Sequence, residues 1–508
     1  MPSTTAENNK RIVKNTLFLY FRMIVVMGIG LYTVRAILRL LGVVDYGIYN
    51  VVGGVVSMFA FLNGTLATSS QRYFSIELAK GDLKRLNQWF CLNITTFSLF
   101  ILAFIVIAET VGLWFVNTQM TIPHERLFAA NVVYQLSIAT FCIHFFNIPY
   151  NGLIIAHEKM SAFAYISIVE AFLKLGIVFV LSIITWDKLI TYGILMFLIS
   201  VLITSSYIVY SRIHFQESKY QFYWNKSEMI ELLGFSGWHF LGTFSIAIRS
   251  QGINILLNLF FSPAVNAARA VAFQIYHAIS QLSGNFFTAV KPQIYKSYAK
   301  KEYNELFKLI MRSSIITSFL VSILIYPFLA NTPYILSLWL KEVPQYAVVF
   351  TQLIMINGLI DSVNGPTAAA MLATGKIRNY ELIVGGAIIM NLPISYVVLK
   401  LGAEPTATMI VSIAISIFTT IIRAYLLSRA VDVSFKKYVY MFFRLLLSTS
   451  VIWLIIYLSF YNSADNIWQL VAYSLLSVAI TIAVYLSIAF EKDDVIYMVN
   501  YIKSKISK

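Results

Sequence analysis

Long apolar runs alternate with short polar breaks along the whole chain, and the runs set its elements. A bilayer core about 30 Å thick takes roughly 20 apolar residues as a helix. Fourteen runs reach that length, near 15–38, 46–70, 89–116, 127–155, 161–185, 189–211, 234–260, 264–290, 305–329, 346–373, 380–400, 405–428, 438–460 and 467–490. They are continuous rather than alternating over about ten residues, which argues against a membrane barrel. The first run lacks a small-residue cleavage site and leads straight into further spans, so it reads as a membrane helix and not a removable signal. The expected fold class is an all-α polytopic membrane protein with about 14 transmembrane helices. The longest polar stretch, about Arg212 to Ser227, is too short to fold alone, and there is no G-x-x-x-x-G-K-S/T motif. ATP-driven transport by this chain is thereby excluded.

Composition agrees and narrows the class. Of 508 residues, 59% are hydrophobic and 12% charged, against about 45–50% and about 25% in soluble domains. A water-soluble enzyme is excluded. The net charge of +15 would suit nucleic acid, but a basic nucleic-acid surface needs a soluble body to carry it, so no nucleic-acid partner is expected. The positions of the basic residues explain the charge better. With the N-terminus in the cytoplasm, 23 Lys and Arg fall in inner segments, from Lys10, Arg11 and Lys14 to Lys503, Lys505 and Lys508. Outer loops hold 5, namely Arg39, Arg126, Lys188, Lys341 and Lys400. That asymmetry places both termini in the cytoplasm and makes the net charge a matter of topology and contact with membrane lipids. Cys91 and Cys142 both lie in apolar stretches, so neither a disulfide framework nor a metal site is readable, and no cofactor is implied.

Two internal matches indicate a repeat. At a shift of 220 residues, Gly64-Thr65-Leu66-Ala67-Thr68 with Ala79-Lys80 and Leu86 overlies Gly284-Asn285-Phe286-Phe287-Thr288 with Ala299-Lys300 and Leu306. At a shift of 217, Pro149, Ala156 and Lys159 overlie Pro366, Ala373 and Lys376. The repeat pairs the first six spans with the next six, in parallel orientation, and leaves two over. The expected domains are a six-helix lobe over 1–227, a second over 228–430, and two further helices with a cytoplasmic tail over 431–508. Parallel repeats are a transporter architecture in which rocking lobes alternate access to a site between them.

The N-terminal run Lys14-Asn15-Thr16, Arg35-Ala36-Ile37-Leu38-Arg39-Leu40-Leu41-Gly42 and Asp45-Tyr46-Gly47-Ile48-Tyr49-Asn50 resembles the start of the Wzx-type polysaccharide-biosynthesis flippases. Leu62-Asn63-Gly64, Gln71-Arg72 and Ala79-Lys80-Gly81-Asp82 continue the pattern. That superfamily also holds the MATE exporters and the lipid II flippase. The resemblance implies two six-helix lobes and translocation of an undecaprenyl-diphosphate-linked oligosaccharide from the cytoplasmic to the periplasmic leaflet of a bacterial inner membrane. It implies service to O-antigen, capsule or exopolysaccharide synthesis, with polysaccharide polymerase machinery as a further partner. Its motifs are dense only in about residues 14–90 and identify the family rather than the glycan.

Ionisable residues inside spans cost about 2.5–3.5 kcal/mol each on insertion scales and usually face a cavity or a partner. Glu170, Lys174, Arg249 and Asp361 fall near mid-span; Arg22 is about a third of the way in from the cytoplasm, while Arg35, Arg269 and Glu109 lie nearer the outer face. Basic residues predominate, which suits an anionic substrate such as a diphosphate, held bidentately by Arg. The candidate substrate residues are Arg249, Arg22, Lys174, Arg35, Arg269 and the polar stripe Gln274, His277, Gln281 of the eighth span. Asp361 and Glu170 are candidates for ion coupling, with the ion unspecified. Each has a plainer reading. Glu170 and Lys174 stand in the favourable i,i+4 order for a self-neutralising pair; Arg22, Arg35 and Arg269 are placed to snorkel; the stripe serves equally to hold helices together. Asp361 is available as a partner for Arg249. Pro149 and Pro366, and Gly28 with Gly30, mark candidate hinges. Two other functions fit the pattern less well: an ion-coupled exporter of soluble compounds with the same fold, and a glycan polymerase or ligase. The latter needs a long loop with catalytic groups, whereas Asn331 to Gln345 carries only Lys341 and Glu342 as charges.

Overall fold

The computed structural model describes residues 5–57, 61–118, 120, 122–261, 263–340, 343–431 and 433–490. Lys341, Glu342 and the tail beyond residue 490 lie outside the described residues. Every regular element among those described is helical: α1 (Thr5–Ser57), α2 (Phe61–Lys80), α3 (Leu83–Ile107), α4 (Leu113–Thr118), α5 (Leu127–Ala156), α6 (Met160–Ile183) and α7 (Lys188–His214). There follow α8 (Lys226–Phe260), α9 (Pro263–Ala299), α10 (Tyr303–Ala330), α11 (Thr332–Trp339), α12 (Ala347–Asp361), α13 (Asn364–Thr374) and α14 (Arg378–Ile389). The series ends with α15 (Asn391–Lys400), α16 (Ala407–Ala430), α17 (Phe435–Phe460) and α18 (Ile467–Val484). This is a multi-pass helical membrane protein.

The expected runs are not all equally apolar as helices. Among the described residues, eleven helices are long and apolar enough to cross a bilayer, and twelve if α12 and α13, bent by 44° at Asp361–Asn364, form one span. Of the fourteen expected, those near 46–70 and 264–290 fall short. α1 leaves helical geometry at Gly42 (φ 79°), just before the first of these runs, and residues 58–60 lie outside the described residues. Both are also too polar. α2 carries Asn63, Ser69, Ser70, Gln71 and Arg72, and α9 carries Asn266, Arg269, Gln274, His277, Gln281 and Asn285. These two helices are the pair that the 220-residue shift superimposes.

The turns show the repeat in backbone detail. After α2, Gly81 N–H donates to Leu78 O and Asp82 N–H to Glu77 O, closing the helix with a left-handed Gly81 (φ 77°). At the same positions 220 residues on, Lys301 N–H donates to Tyr298 O and Glu302 N–H to Ser297 O, with Lys301 at φ 59°. Each is a Schellman closure, which satisfies carbonyls that the helix end leaves free. The second match behaves alike at its shift of 217. Glu158 (φ 60°) donates to Ile155 O, and Gly375 (φ 74°) to Leu372 O.

The chain divides into two compact units, Met1–Phe240 and Leu241–Lys508, with the division inside α8. The first unit is centred on buried aromatics including Phe74, Phe90, Phe97, Tyr134 and Phe145. Small residues bring its backbones together: a Cβ added to Gly152 of α5 would lie 3.3 Å from Ser70 Cβ of α2. That use of small residues is how helices pack where lipid removes the hydrophobic drive. In the second unit, Ile253, Leu257, Ala268, Ala272, Leu336 and Phe350 form a core cluster.

Candidate functional site

Helix α1 places Arg22, Val26, Ile29, Gly30, Thr33 and Ile37 on one face, because steps of three and four residues return to the same side. Helix α6 does the same with Ser167, Glu170, Ala171 and Lys174, and α7 adds Tyr192 and Met196. Together these line a cavity of about 410 Å³ within the first unit. Three candidates of the sequence thus converge: Arg22, Glu170 and Lys174. Lys174 Nζ donates to Glu170 Oε1 at 2.6 Å. Among the described residues no acid lies in ion-pair contact with Arg22, although Glu170 acts on it electrostatically. Its guanidinium stands 4.8 Å over the Phe163 ring, and its Nε is buried without a hydrogen-bond partner, as is Thr33 Oγ1. His144 of α5 lies within electrostatic range of Glu170 and Lys174, and Tyr207 of α7 within that of Arg22 and Glu170. With two cations and one carboxylate, the cavity carries a net positive charge and free guanidinium donors. That chemistry suits an oxyanion.

The second unit has a smaller cavity of about 150 Å³ where α12 gives way to α13. Asp361 ends α12 and lines it with Tyr276, Ser280, Ser283, Thr317 and Ser362. Asn357 Nδ2 donates to Asp361 Oδ2 at 2.8 Å and Asn364 Nδ2 to Oδ1 at 3.3 Å. The Oδ1 atoms of Asn357 and Asn364 are buried and unpartnered. Both carboxylate oxygens thus accept from amide N–H groups, and the hydroxyls of Ser280, Ser283, Thr317 and Ser362 line the same cavity. Tyr276 approaches closely because α12 has Gly358 there: a Cβ at that position would lie 2.2 Å from the ring.

The remaining candidates fall elsewhere. Arg269 is buried, hydrogen-bonds Asn254 Oδ1 and lies 4.5 Å over the Phe273 ring, so it joins α9 to α8 instead of snorkelling outward. Arg249 is half-buried, within electrostatic range of Arg269 and Tyr276. The two amides, and not Arg249, hydrogen-bond Asp361. Arg35 is exposed on α1, outside the first cavity. Gln274, His277 and Gln281 form an exposed line along α9, while the adjacent Tyr276, Ser280, Ser283 and Phe287 line the second cavity. Sequence reasoning missed Thr33, Ser167 and Tyr192 in the first cavity, Tyr276 in the second, and Asn357 and Asn364 as the partners of Asp361. Asn357, Asp361 and Asn364, at steps of four and three, were the signal available.

Outside the spans, charges brace the first unit. Arg126 Nε donates to Asp45 Oδ1 at 2.8 Å, and Arg126 Nη1 to Asp187 Oδ2 at 2.5 Å, tying the starts of α5 and α7 to α1 just past its break at Gly42. Burial alone would raise the Asp187 pKa, but hydrogen bonds from Arg126 and from the Ile190 and Leu189 amides outweigh it and hold the carboxyl below its usual range. Glu217 is held low in the same way: burial opposes ionisation, and the 2.5 Å bond to His157 Nε2 overcomes it. The motif residues Arg72, Lys80 and Asp82, with Arg85, line a third hollow of about 430 Å³. Arg85 bonds Glu228 there at 2.7 Å and Tyr73 Oη donates to Glu231 at 3.1 Å, fixing the start of α8 against α2 and α3.

No protein-family model and no curated protein matches the chain. Solved structures do. A crystal structure of a MATE mutant aligns with a TM-score of 0.71 at 12% identity, covering 82% of this chain and 96% of the other. A mutant MATE transporter from Vibrio cholerae aligns at 0.67 and 15%, covering 84% and 97%. The fold is that of the MATE transporters. A MOP-superfamily transporter from Pyrococcus furiosus, in which reversed polarity of the binding pocket suggests a different function, aligns at 0.65 and 13%, covering 82% and 96%. Against that fold, the two cavities lie one in each compact unit of this chain.

Proposed function

We propose that the chain is a flippase that moves an undecaprenyl-diphosphate-linked oligosaccharide from the cytoplasmic to the periplasmic leaflet of a bacterial inner membrane by alternating access. The observation that carries this reading is the net positive intramembrane cavity, in which the Arg22 guanidinium makes no ion-pair contact among the described residues. Arg22 meets one phosphate, Lys174 serves the other, and Thr33, Ser167 and Tyr192 offer hydroxyls to the headgroup. Arg249 and Arg269, with the exposed Gln274, His277 and Gln281, are proposed contacts along the route, and Arg35 an outer one. The polyprenyl tail stays in lipid. The membrane potential, about 2.3 kcal/mol per charge per 100 mV, favours outward movement of an anion. Asp361, the carboxylate that lines the second cavity beside several hydroxyls, is the proposed site of a coupling ion that resets the carrier, and the product feeds polysaccharide polymerase machinery.

A second reading has its own support. Among proteins of this fold is one described as a multidrug resistance transporter, and an ion-coupled exporter of soluble compounds would share this architecture. The sign of the cavity separates the two, since a cavity built for organic cations needs acidic residues in excess. A strain lacking the chain tests both. The flippase reading expects surface glycan to be lost, restored by the wild-type chain and not by Arg22→Ala expressed at the same level. Normal glycan together with drug sensitivity would select the exporter.

A further inference from the structure

Glu170 has no role in holding an anion, yet it sits in the cavity that does. We infer that it is a tethered place-holder for the substrate's phosphate, occupying Lys174 in the empty cavity and displaced when the diphosphate arrives. The inference rests on the diphosphate reading above and concerns how that site is regulated.

Three features carry it. The pair is intact at 2.6 Å but not sealed, for Lys174 and Glu170 keep side-chain exposures of 39% and 27% and both line the cavity. Its position is near the middle of α6, away from the ends where headgroup water would solvate two charges. Finally, the cavity is asymmetric: Lys174 is in direct contact with Glu170, while Arg22 on α1 feels that carboxylate only at a distance and rests on an aromatic face. Two uncompensated cations facing one apolar cavity would repel each other and resist leaving water. One carboxylate removes most of that cost while leaving one cation open. A diphosphate diester brings two negative charges. The first meets Arg22, and the second competes with Glu170 for Lys174. Once displaced, Glu170 is faced by Ser167 on its own helix, His144 on α5 and Tyr207 on α7, whose side chains are able to donate hydrogen bonds to it. The same competition ejects the substrate, since re-forming the pair restores the empty state.

A two-fold mutant cycle on the full chain in detergent tests this, using isothermal titration of glucosyl citronellyl diphosphate, with melting temperature as the check on folding. If the pair occupies Lys174 about nine-tenths of the time, Glu170→Gln tightens binding by about tenfold, because the competent fraction rises. It also slows leaflet exchange in proteoliposomes through slower release. Lys174→Gln weakens binding, and in that background Glu170→Gln changes nothing. Should Glu170→Gln not fold, Glu170→Asp draws the carboxylate back from Lys174 and tightens binding in the same direction by less. Folded acid-site variants that bind no more tightly than wild type, or that tighten equally without Lys174, overturn the place-holder while Arg22→Ala still loses binding. A folded wild type that binds no diphosphate overturns both this inference and the function it rests on.

Discussion

Arg22 is costly where it stands. A charged side chain within a span costs about 2.5–3.5 kcal/mol on insertion scales, and its Phe163 ring at 4.8 Å returns about 0.5–2 kcal/mol as a cation–π contact. The contact does not cover the cost, and Glu170, which is in contact with Lys174, acts on Arg22 only at a distance, so the residue is there for something besides stability. Gly30 faces the same cavity with no atom within 4 Å of where a Cβ would stand. Gly30→Leu therefore fills the cavity without colliding with a neighbour. The variant is expected to melt within about 1 kcal/mol of wild type in stability terms and to lose transport. A thermal melt with a transport assay checks both, and full transport by the folded variant would show that the cavity is not on the route. Arg22, Glu170 and Lys174 were legible in the sequence because charge inside an apolar run is conspicuous. Their convergence was not. Helical periodicity fixes an angle about one helix and says nothing of which other helix meets it. Arg249 stood out for the same reason as Arg22, yet the partner its sequence suggested, Asp361, is held by Asn357 and Asn364.

Helices are joined here by turns whose chemistry the repeat makes comparable. Gly81 and Lys301 occupy the same left-handed position in the same Schellman closure. A glycine enters that region freely, whereas a side chain costs about 1 kcal/mol. Lys301→Gly is thus expected to raise the melting temperature, and an unchanged or lower one would mean that the Lys301 side chain compensates. The loop carboxylates give a dependence on pH. Because Glu217 titrates below its ordinary value of 4.5, its bond to His157 stabilises the fold above that pH. The stability is lost as pH falls through the lowered folded value. The melting temperature of wild type should accordingly drop more steeply than that of Glu217→Gln below about pH 4.5. Parallel curves would contradict the assignment. Most elements were legible, since long apolar runs in lipid have little choice but helix. The runs near 46–70 and 264–290 are less apolar because polar residues interrupt them, and length alone does not reveal a break such as the one at Gly42.

At the scale of the molecule, the MATE fold is reached at 12–15% identity, so the pattern of apolar runs and the repeat carry the fold, and individual identities hardly at all. Cargo is a separate matter. A fold fixes two units and their connections, and the charges lining a cavity decide what enters it. The sequence conveyed the sign of those charges and not their grouping, which is why Arg22 with Lys174, rather than Arg249, forms the centre of the account. The measurement that tests this most directly places the purified chain in proteoliposomes with a fluorescent undecaprenyl-diphosphate oligosaccharide. A membrane-impermeant quencher reports how much lipid has crossed, with and without an imposed ion gradient. The account predicts crossing that depends on the protein and falls by at least about tenfold, or about 1.4 kcal/mol, in folded Arg22→Ala. Equal crossing by Arg22→Ala and wild type would contradict it.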